Sequence, residues 1–179
     1  MSIVKVPTRD EVSPDNQAIF DNLRKKLTFV PNLYATFAHS ATALATYLAF
    51  QNAKSSLTGK QREVVNLVVS QVNDCEYCLA AHTAVGKMVG FTDAQILEIR
   101  SGRATFDPKL DALARFAREV AEKRGKVAAA STAAFLEGGW TQGNLVDVIM
   151  AIGDKIISNY LHGVTKVPVD FPAAPKLDR

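Results

Sequence analysis

The sequence is poor in cysteine: its 179 residues include only two, Cys75 and Cys78. Two cysteines cannot build a disulfide framework, so a small disulfide-stabilised secreted fold is excluded. Residues 1–12 also lack the continuous apolar core of a signal peptide, from which we expect a cytoplasmic protein. In that reducing compartment a cysteine pair is more often catalytic or metal-binding than structural.

The sequence also lacks a basic stripe interleaved with aromatic residues. Its net charge is only +3, and the basic clusters at 24–26 and 123–124 lie near the ends of predicted helices, where cations complement the helix dipole. We therefore expect no nucleic-acid partner.

Residues 27–50 contain no Asp, Glu, Lys or Arg, which invites a membrane interpretation. Pro31, Asn32, His39 and several Ser and Thr residues interrupt this stretch. We expect a helix covered by protein and no membrane partner, with His39 a buried or interface histidine.

What is present is the composition of an ordinary globular protein, with 47% hydrophobic and 22% charged residues. The length suits one domain, and no internal repeat or linker divides it. We predict a single domain over residues 1–179, with an extended N-terminal arm at 1–12. A tail at 164–179, which contains three prolines, would follow the last helix.

Helix start and stop signals predict an all-α fold of about seven to eight helices. Asn32, Asp74 and Thr92 are predicted N-caps, and Thr58 with Gln61 forms a capping box. The predicted helices cover approximately residues 14–27, 32–55, 58–71, 75–89, 92–100, 107–125, 128–136 and 141–163.

The stretch 63–82 gathers both cysteines, a histidine and a carboxylate. On a helix, Cys75, Cys78 and His82 fall within a sector of roughly 60°, and Cys78 and His82, four residues apart, are neighbours. If this helix folds back antiparallel on the preceding one, Glu63 stands level with His82. The predicted order is Glu63, His82, Cys78, in which the carboxylate orients the imidazole and the imidazole takes the thiol proton.

The two cysteines have different routes to activation. Cys75 would be the first residue of its helix, where the dipole favours an anion by about 0.3–1 kcal/mol, which lowers a pKa by well under one unit. Cys78 is coupled to His82. We therefore predict that Cys78 is the nucleophile and that Cys75 is the resolving cysteine.

Two other interpretations of these residues stay open. The cysteines could be small buried hydrophobic residues with no chemical role. Alternatively, Cys75, Cys78, His82 and Glu63 are suitable zinc ligands in number and type, although CxxC in structural zinc sites usually lies in a turn.

The spacing of Glu63, Cys75, Cys78 and His82 resembles that of the AhpD-like alkylhydroperoxidase group of the carboxymuconolactone decarboxylase superfamily. The resemblance covers about residues 30–165 and includes the segments VVNLVVSQVNDCEYCLAAHT, FARE and DVIMAIGDKIISNYLHG. Some members of that group carry a histidine where this chain has Tyr77. The decarboxylase branch generally lacks the cysteine pair, so lactone decarboxylation is not expected.

The resemblance implies an all-helical AhpD-like fold, a homo-oligomer (trimer or hexamer) and reduction of peroxides without a cofactor. It implies that Cys78 attacks the peroxide, that Cys75 resolves, and that Glu63 and His82 relay protons. An external dithiol, a lipoyl group or a thioredoxin-like protein, would restore the thiols. The broad apolar faces of 64–72 and 145–161 also favour a homo-oligomer.

The sequence therefore predicts a thiol-dependent peroxidase that acts on hydrogen peroxide or alkyl hydroperoxides. Two alternatives are a protein disulfide reductase and, from a different class, a zinc-stabilised interaction module.

Overall fold

The computed structural model describes residues 3–177 and is all-α over that range, as predicted. The described residues form nine α-helices and a short 3₁₀ helix, and no strand is found among them. The 3₁₀ helix is Arg9–Glu11, and the α-helices are α1 Pro14–Leu27, α2 Asn32–Phe37, α3 Ala43–Gln51, α4 Gly59–Val72, α5 Glu76–Met88, α6 Asp93–Arg100, α7 Pro108–Glu122, α8 Ala129–Glu137 and α9 Gln142–Thr165. Positions 1, 2, 178 and 179, at the ends of the predicted arm and tail, lie outside the described residues.

The described chain divides into two compact units. One contains residues 3–54 and 160–170, and the other contains residues 55–159 and 171–177. The prediction of a single domain over the whole chain stays a prediction. None of the helices within residues 3–177 is long and apolar enough to cross a bilayer.

The unit of residues 55–159 and 171–177 is built around α4 and α7. Helix α4 begins at Gly59 after its N-cap, Thr58, whose hydroxyl accepts a hydrogen bond from Gln61 N at 3.3 Å. Gln61 Oε1 accepts one from Thr58 N at 2.9 Å, which completes the predicted capping box. The most buried side chains of α4, each at most 1% exposed, are Val64, Val65, Leu67, Val68 and Val69. Each such buried aliphatic side chain contributes about 1.5–3 kcal/mol. The apolar face of 64–72 is therefore used inside this chain, and it no longer supports an oligomer.

The unit of residues 3–54 and 160–170 corrects the prediction of one long helix over 32–55. Helix α2 ends at Phe37, and the next helix, α3, starts at Ala43. Asn16 is fully buried, and its side-chain amide donates to the carbonyl oxygens of Ala38 and Ser40 at 3.2 and 3.0 Å. The Ser40 hydroxyl accepts from Ala43 N at 3.2 Å. Side chains thus satisfy the backbone groups that a continuous helix would have paired.

Smaller predictions in the same unit also need correction. The predicted extended arm contains the 3₁₀ helix, which Thr8 and Glu11 cap. His39 is exposed in this chain and not buried, and its Nε2 lies 2.7 Å from the carbonyl oxygen of Lys5; an interface role for His39 stays a prediction. Asn32 is the first residue of α2 rather than its N-cap, and its backbone N–H donates to Asp170 Oδ2 at 2.7 Å. The cap comes from a carboxylate distant in sequence, which local signals do not reveal.

Candidate functional site

The corner between α4 and α5 positions the two cysteines. Asp74 has a φ of +52° and is a left-handed turn residue, so the prediction that it caps α5 is wrong. Cys75 is the N-cap instead. Its N–H donates to Ser70 O at 2.9 Å, and its Sγ accepts a hydrogen bond from Cys78 N at 3.3 Å. Cys75 therefore lies just before the helix, where a backbone donor contacts the sulfur.

The expected contact between Glu63 and His82 is present. Nδ1 of His82 lies 2.7 Å from Glu63 Oε2, and the Asn66 amide donates to Glu63 Oε1 at 2.7 Å. Burial alone would raise the pKa of Glu63, but its interactions with His82, the hydrogen bond from Asn66 and the charge of Lys155 outweigh it. The pKa is lowered, so this buried carboxylate is ionised and both of its oxygens are bonded.

Helix α9 contributes a lysine that the sequence analysis missed. Nζ of Lys155 lies 3.0 Å from Nε2 of His82, and the residue is only 2% exposed. Asp154 Oδ2 is 3.4 Å from the same ammonium group. The polar chain therefore runs from Glu63 through His82 to Lys155, and the imidazole nitrogen expected to face Cys78 contacts lysine instead.

Asn159, one turn further along α9, is the second missed residue. Its Oδ1 accepts a hydrogen bond from the Asn73 amide at 2.9 Å, and its Nδ2 donates to Ser70 Oγ at 3.3 Å. The same side chain is hydrogen-bonded to both cysteines, which favours their charged forms. Asn159 thus provides the sulfurs with a buried neutral donor.

The cysteines are buried, free and in contact. Cys75 is 2% exposed and Cys78 is 3% exposed; they approach to 2.7 Å and form no disulfide. The hydrogen bond from Cys75 lowers the pKa of Cys78 to about 6, against desolvation and with help from the charge of Lys155 and from the nearby His82. The hydrogen bond with Cys78 and burial raise the pKa of Cys75. At neutral pH the thiolate form is therefore favoured at Cys78 and the thiol form at Cys75, which donates a hydrogen bond to Cys78.

Tyr77, between the cysteines, is packed against the C-terminal tail. It is 3% exposed, and its ring meets Phe171 edge to face with a centroid separation of 5.6 Å. Further along, the Pro175 carbonyl accepts a hydrogen bond from Arg100 Nη1 at 2.6 Å. The tail therefore lies against the helix that carries the thiols.

The zinc interpretation finds no support in the geometry. Among residues 3–177, no group of three or more His, Cys, Asp or Glu side chains is arranged to hold a metal ion. Glu63 is bonded to His82, and Cys75 is bonded to Cys78, so the four groups form two pairs instead of one tetrahedral set.

A signal in the sequence could have revealed Lys155 and Asn159. Val148 and Ile152 are buried residues of α9, and Lys155 and Asn159 continue the same stripe at spacings of four, three and four residues. Ionisable and amide side chains on a buried stripe are rare without partners, and here they mark the side of α9 that faces the thiols.

The comparisons with known proteins agree with this architecture. The model of the carboxymuconolactone decarboxylase family matches residues 35–123. A search of proteins with curated function found no match. The chain belongs to the carboxymuconolactone decarboxylase superfamily and has an AhpD-like fold.

Solved structures extend the likeness over almost the whole chain. The alkylhydroperoxidase AhpD core of an uncharacterized peroxidase-related protein from Ralstonia eutropha JMP134 is 23% identical, with a TM-score of 0.85 over 94% of this chain and 92% of that one. A peroxidase-related protein from Silicibacter sp. TM1040 is 22% identical, with a TM-score of 0.83 over 93% and 91%.

The same fold also occurs in a protein described by a different reaction. An alanine variant of the debrominase Bmp8 in complex with 2,3,4-tribromopyrrole is 10% identical, with a TM-score of 0.77 over 95% of this chain and 94% of that one. At such identities the likeness concerns the fold, and activity has to be argued from the site.

Proposed function

We propose that this protein is a thiol-dependent peroxidase that reduces hydrogen peroxide or small alkyl hydroperoxides. The observation that carries the proposal is the buried contact of Cys78 with Cys75 beside the Glu63–His82–Lys155 chain, a setting that lowers the pKa of Cys78 and favours its thiolate. A thiolate at neutral pH is the nucleophile that peroxide reduction needs, and a second thiol in contact can resolve the product.

The proposed cycle has three steps. The Cys78 thiolate attacks the terminal peroxide oxygen, the O–O bond breaks, and an alkoxide or hydroxide leaves and takes up a proton. The Cys78 sulfenic acid then condenses with the Cys75 thiol, which forms a disulfide and releases water. An external dithiol reduces the disulfide and becomes oxidised itself, which restores both thiols.

The burial of the sulfurs favours peroxidase activity over protein disulfide reduction. Exposures of 2% and 3% leave no room for a disulfide on the surface of a folded protein to align with either sulfur. Hydrogen peroxide and small hydroperoxides need only a narrow path. We therefore keep disulfide reduction as the second candidate and rank small peroxides first.

The same burial bears on the reductant. Of the two expected donors, a lipoyl group on a flexible arm can reach a recessed disulfide more easily than the active-site surface of a thioredoxin-like protein. A cytoplasmic location would keep such a dithiol reduced, and we propose that location for this protein.

We also propose a homo-oligomer, a trimer or a hexamer, as the resemblance implies. Support comes from the outer face of α9, where Val146, Ile149, Met150 and Ile157 are between 44% and 59% exposed. Their spacing of three, one and seven residues places them on one side of the helix. A contiguous apolar face of this kind is typical of a protein–protein contact.

The decisive experiment measures consumption of hydrogen peroxide and cumene hydroperoxide with a small dithiol as electron donor. Wild-type protein should turn over repeatedly. Cys78→Ser should lose activity, whereas Cys75→Ser should consume about one equivalent of peroxide and retain a sulfenic acid that a dimedone probe labels. Steady-state turnover of Cys78→Ser at the wild-type rate would contradict the proposal.

A further inference from the structure

We propose that Lys155, and not His82, is the cation that stabilises the Cys78 thiolate, and that its ammonium group supplies the proton for the departing oxygen. The first part concerns the resting protein and stands independently of any substrate. The second part rests on the proposed peroxidase function. Lys155 lies outside the Glu63–His82–Cys78 relay expected from the sequence.

The two ring nitrogens of His82 have different partners, which decides the nitrogen that carries a hydrogen. Nδ1 of His82 faces the ionised Glu63 carboxylate at 2.7 Å and must donate to it. Nε2 lies 3.0 Å from Nζ of Lys155, and two donors cannot share such a contact. Lysine is the stronger base of the two side-chain types, so the shared proton belongs to Lys155 and Nε2 accepts it. His82 is therefore neutral, with its hydrogen on Nδ1.

Side chains of α9 lie beside those of α5 at two positions. Asn159 is hydrogen-bonded to the cysteines, and Lys155, four residues earlier on α9, contacts His82, four residues after Cys78 on α5. On each helix the two residues lie four positions, about 6 Å, apart along the axis, so Lys155 lies about one turn away from the side chain that contacts the sulfurs. A long lysine side chain easily covers that distance, and its charge acts on the sulfur without intervening bulk water.

The titratable groups near Lys155 are two carboxylates, one imidazole and one thiol. Glu63 of α4 and Asp154 of α9 are acidic, His82 of α5 is neutral by the argument above, and Cys75 is a protonated thiol. The only cation in this described set is Lys155, so the thiolate has no other full positive charge to stabilise it.

The proton step balances with these groups alone. The Cys78 thiolate, the Lys155 ammonium and ROOH give the sulfenic acid, neutral Lys155 and ROH. Condensation of the sulfenic acid with the Cys75 thiol then releases water and needs no net proton. When the external dithiol reduces the disulfide, one of its two protons goes to the Cys75 thiol and the other to Lys155. Cys78 is then again a thiolate beside an ammonium group.

The test measures the alkylation rate of Cys78 by iodoacetamide against pH in the full chain. An opposite charge at about 4–6 Å lowers an acid's pKa by roughly 1–3 units, so Lys155→Met should move the midpoint upward from about 6 by at least one unit. At pH 7 alkylation should become about twofold slower for a shift of one unit and about tenfold slower for a shift of two units. Lys155→Arg, which keeps the charge, should stay near wild type, and Lys87→Met on the surface of α5 is the matched control.

His82→Gln separates the inference from the relay expected from the sequence. A neutral His82 predicts a midpoint close to wild type, whereas an imidazolium cation predicts an upward shift as large as that of Lys155→Met. A wild-type midpoint in a folded Lys155→Met protein would overturn the inference. Should Lys155→Met not fold, Lys155→Gln takes its place, with circular dichroism to establish folding.

The proton-donor part is tested by peroxide reduction at a pH where Cys78 of Lys155→Met is fully ionised. There the alkylation rate should equal that of wild type, while peroxide reduction should remain at least tenfold slower because the departing oxygen lacks its acid. Equal rates would overturn this part. Absence of peroxide reduction in wild-type protein, together with the predicted alkylation shift, would reject the proposed function and leave the thiolate argument intact.

Discussion

The side-chain amide of Asn73 donates a hydrogen bond to Oδ1 of Asn159 at 2.9 Å, and this contact decides how Asn159 faces the cysteines. With Oδ1 occupied, the NH₂ group is directed toward Ser70 Oγ and the sulfurs. A donor therefore meets the thiolate, where the carbonyl end of the same amide would repel it. The α4–α5 corner thus orients the α9 side of the thiol site.

Replacing that donor by an anion should disable the thiolate. In Asn159→Asp a carboxylate would lie beside the sulfurs and raise the pKa of Cys78, so that alkylation at pH 7 becomes about tenfold slower. Mass-spectrometric quantification of alkylated Cys78 measures this. Asn144→Asp, at a half-buried position near the start of the same helix, is the control and should react at the wild-type rate.

The two cysteines should titrate far apart. Because the folded pKa of Cys78 is lowered to about 6, its thiolate is present above that pH and is lost as the pH falls through it. Alkylation of Cys78 should follow this midpoint, while Cys75, whose pKa is raised, stays unmodified at neutral pH. Cys75→Ser removes the thiol donor, the largest cause of the shift, and should raise the midpoint. Preferential labelling of Cys75 in wild-type protein would contradict the assignment.

Glu63→Gln should cost about 2 kcal/mol of unfolding free energy at pH 7, because it removes the charge from a buried pair that also faces Lys155. The folded pKa of Glu63 is lowered, so its stabilisation is present above about pH 4.3 and is lost as the pH falls through the folded value. The difference from wild type should therefore shrink in acid. Urea titrations at pH 7 and below pH 4 measure it, and the exposed Glu137→Gln should change stability by less than about 0.5 kcal/mol.

Loss of the ring that packs on Tyr77 should open the thiol site. Phe171→Ala removes the edge-to-face contact and loosens the tail over α5, so a bulky maleimide should label Cys78 several-fold faster. Phe106→Ala removes a similar edge-to-face contact, with Phe91, and serves as the control. Equal labelling in both variants would mean that the tail does not limit access.

A charge on the outer face of α9 should dissociate the proposed oligomer. Met150 is 49% exposed, and Met150→Glu would place a carboxylate in the middle of that face, where burial against another copy becomes costly. Light scattering should then report a smaller particle. Met88→Glu, at an 84% exposed methionine of α5, is the control and should keep the wild-type mass. Wild-type protein that is already monomeric would exclude the oligomer.

Local signals predicted most helix boundaries. The capping boxes at Thr58 and Thr92, and Asp107 followed by Pro108, begin helices where the sequence indicates, because each cap pairs backbone groups within a few residues. The break between α2 and α3 was missed, since it depends on Asn16, more than twenty residues away in the chain. Asp74 was misassigned because a short polar residue suits both an N-cap and a left-handed turn.

The sequence by itself determined the all-α class and the grouping of Glu63, Cys75, Cys78 and His82, because helical periodicity and spacing along the chain are local properties. Only the tertiary structure decided what surrounds the sulfurs. Lys155 and Asn159 come from a helix some eighty residues later, and a pKa depends on the charges and donors that folding brings within a few ångströms. Which side chains of α9 lie beside the thiols is therefore a property of the tertiary fold, which local sequence signals do not encode.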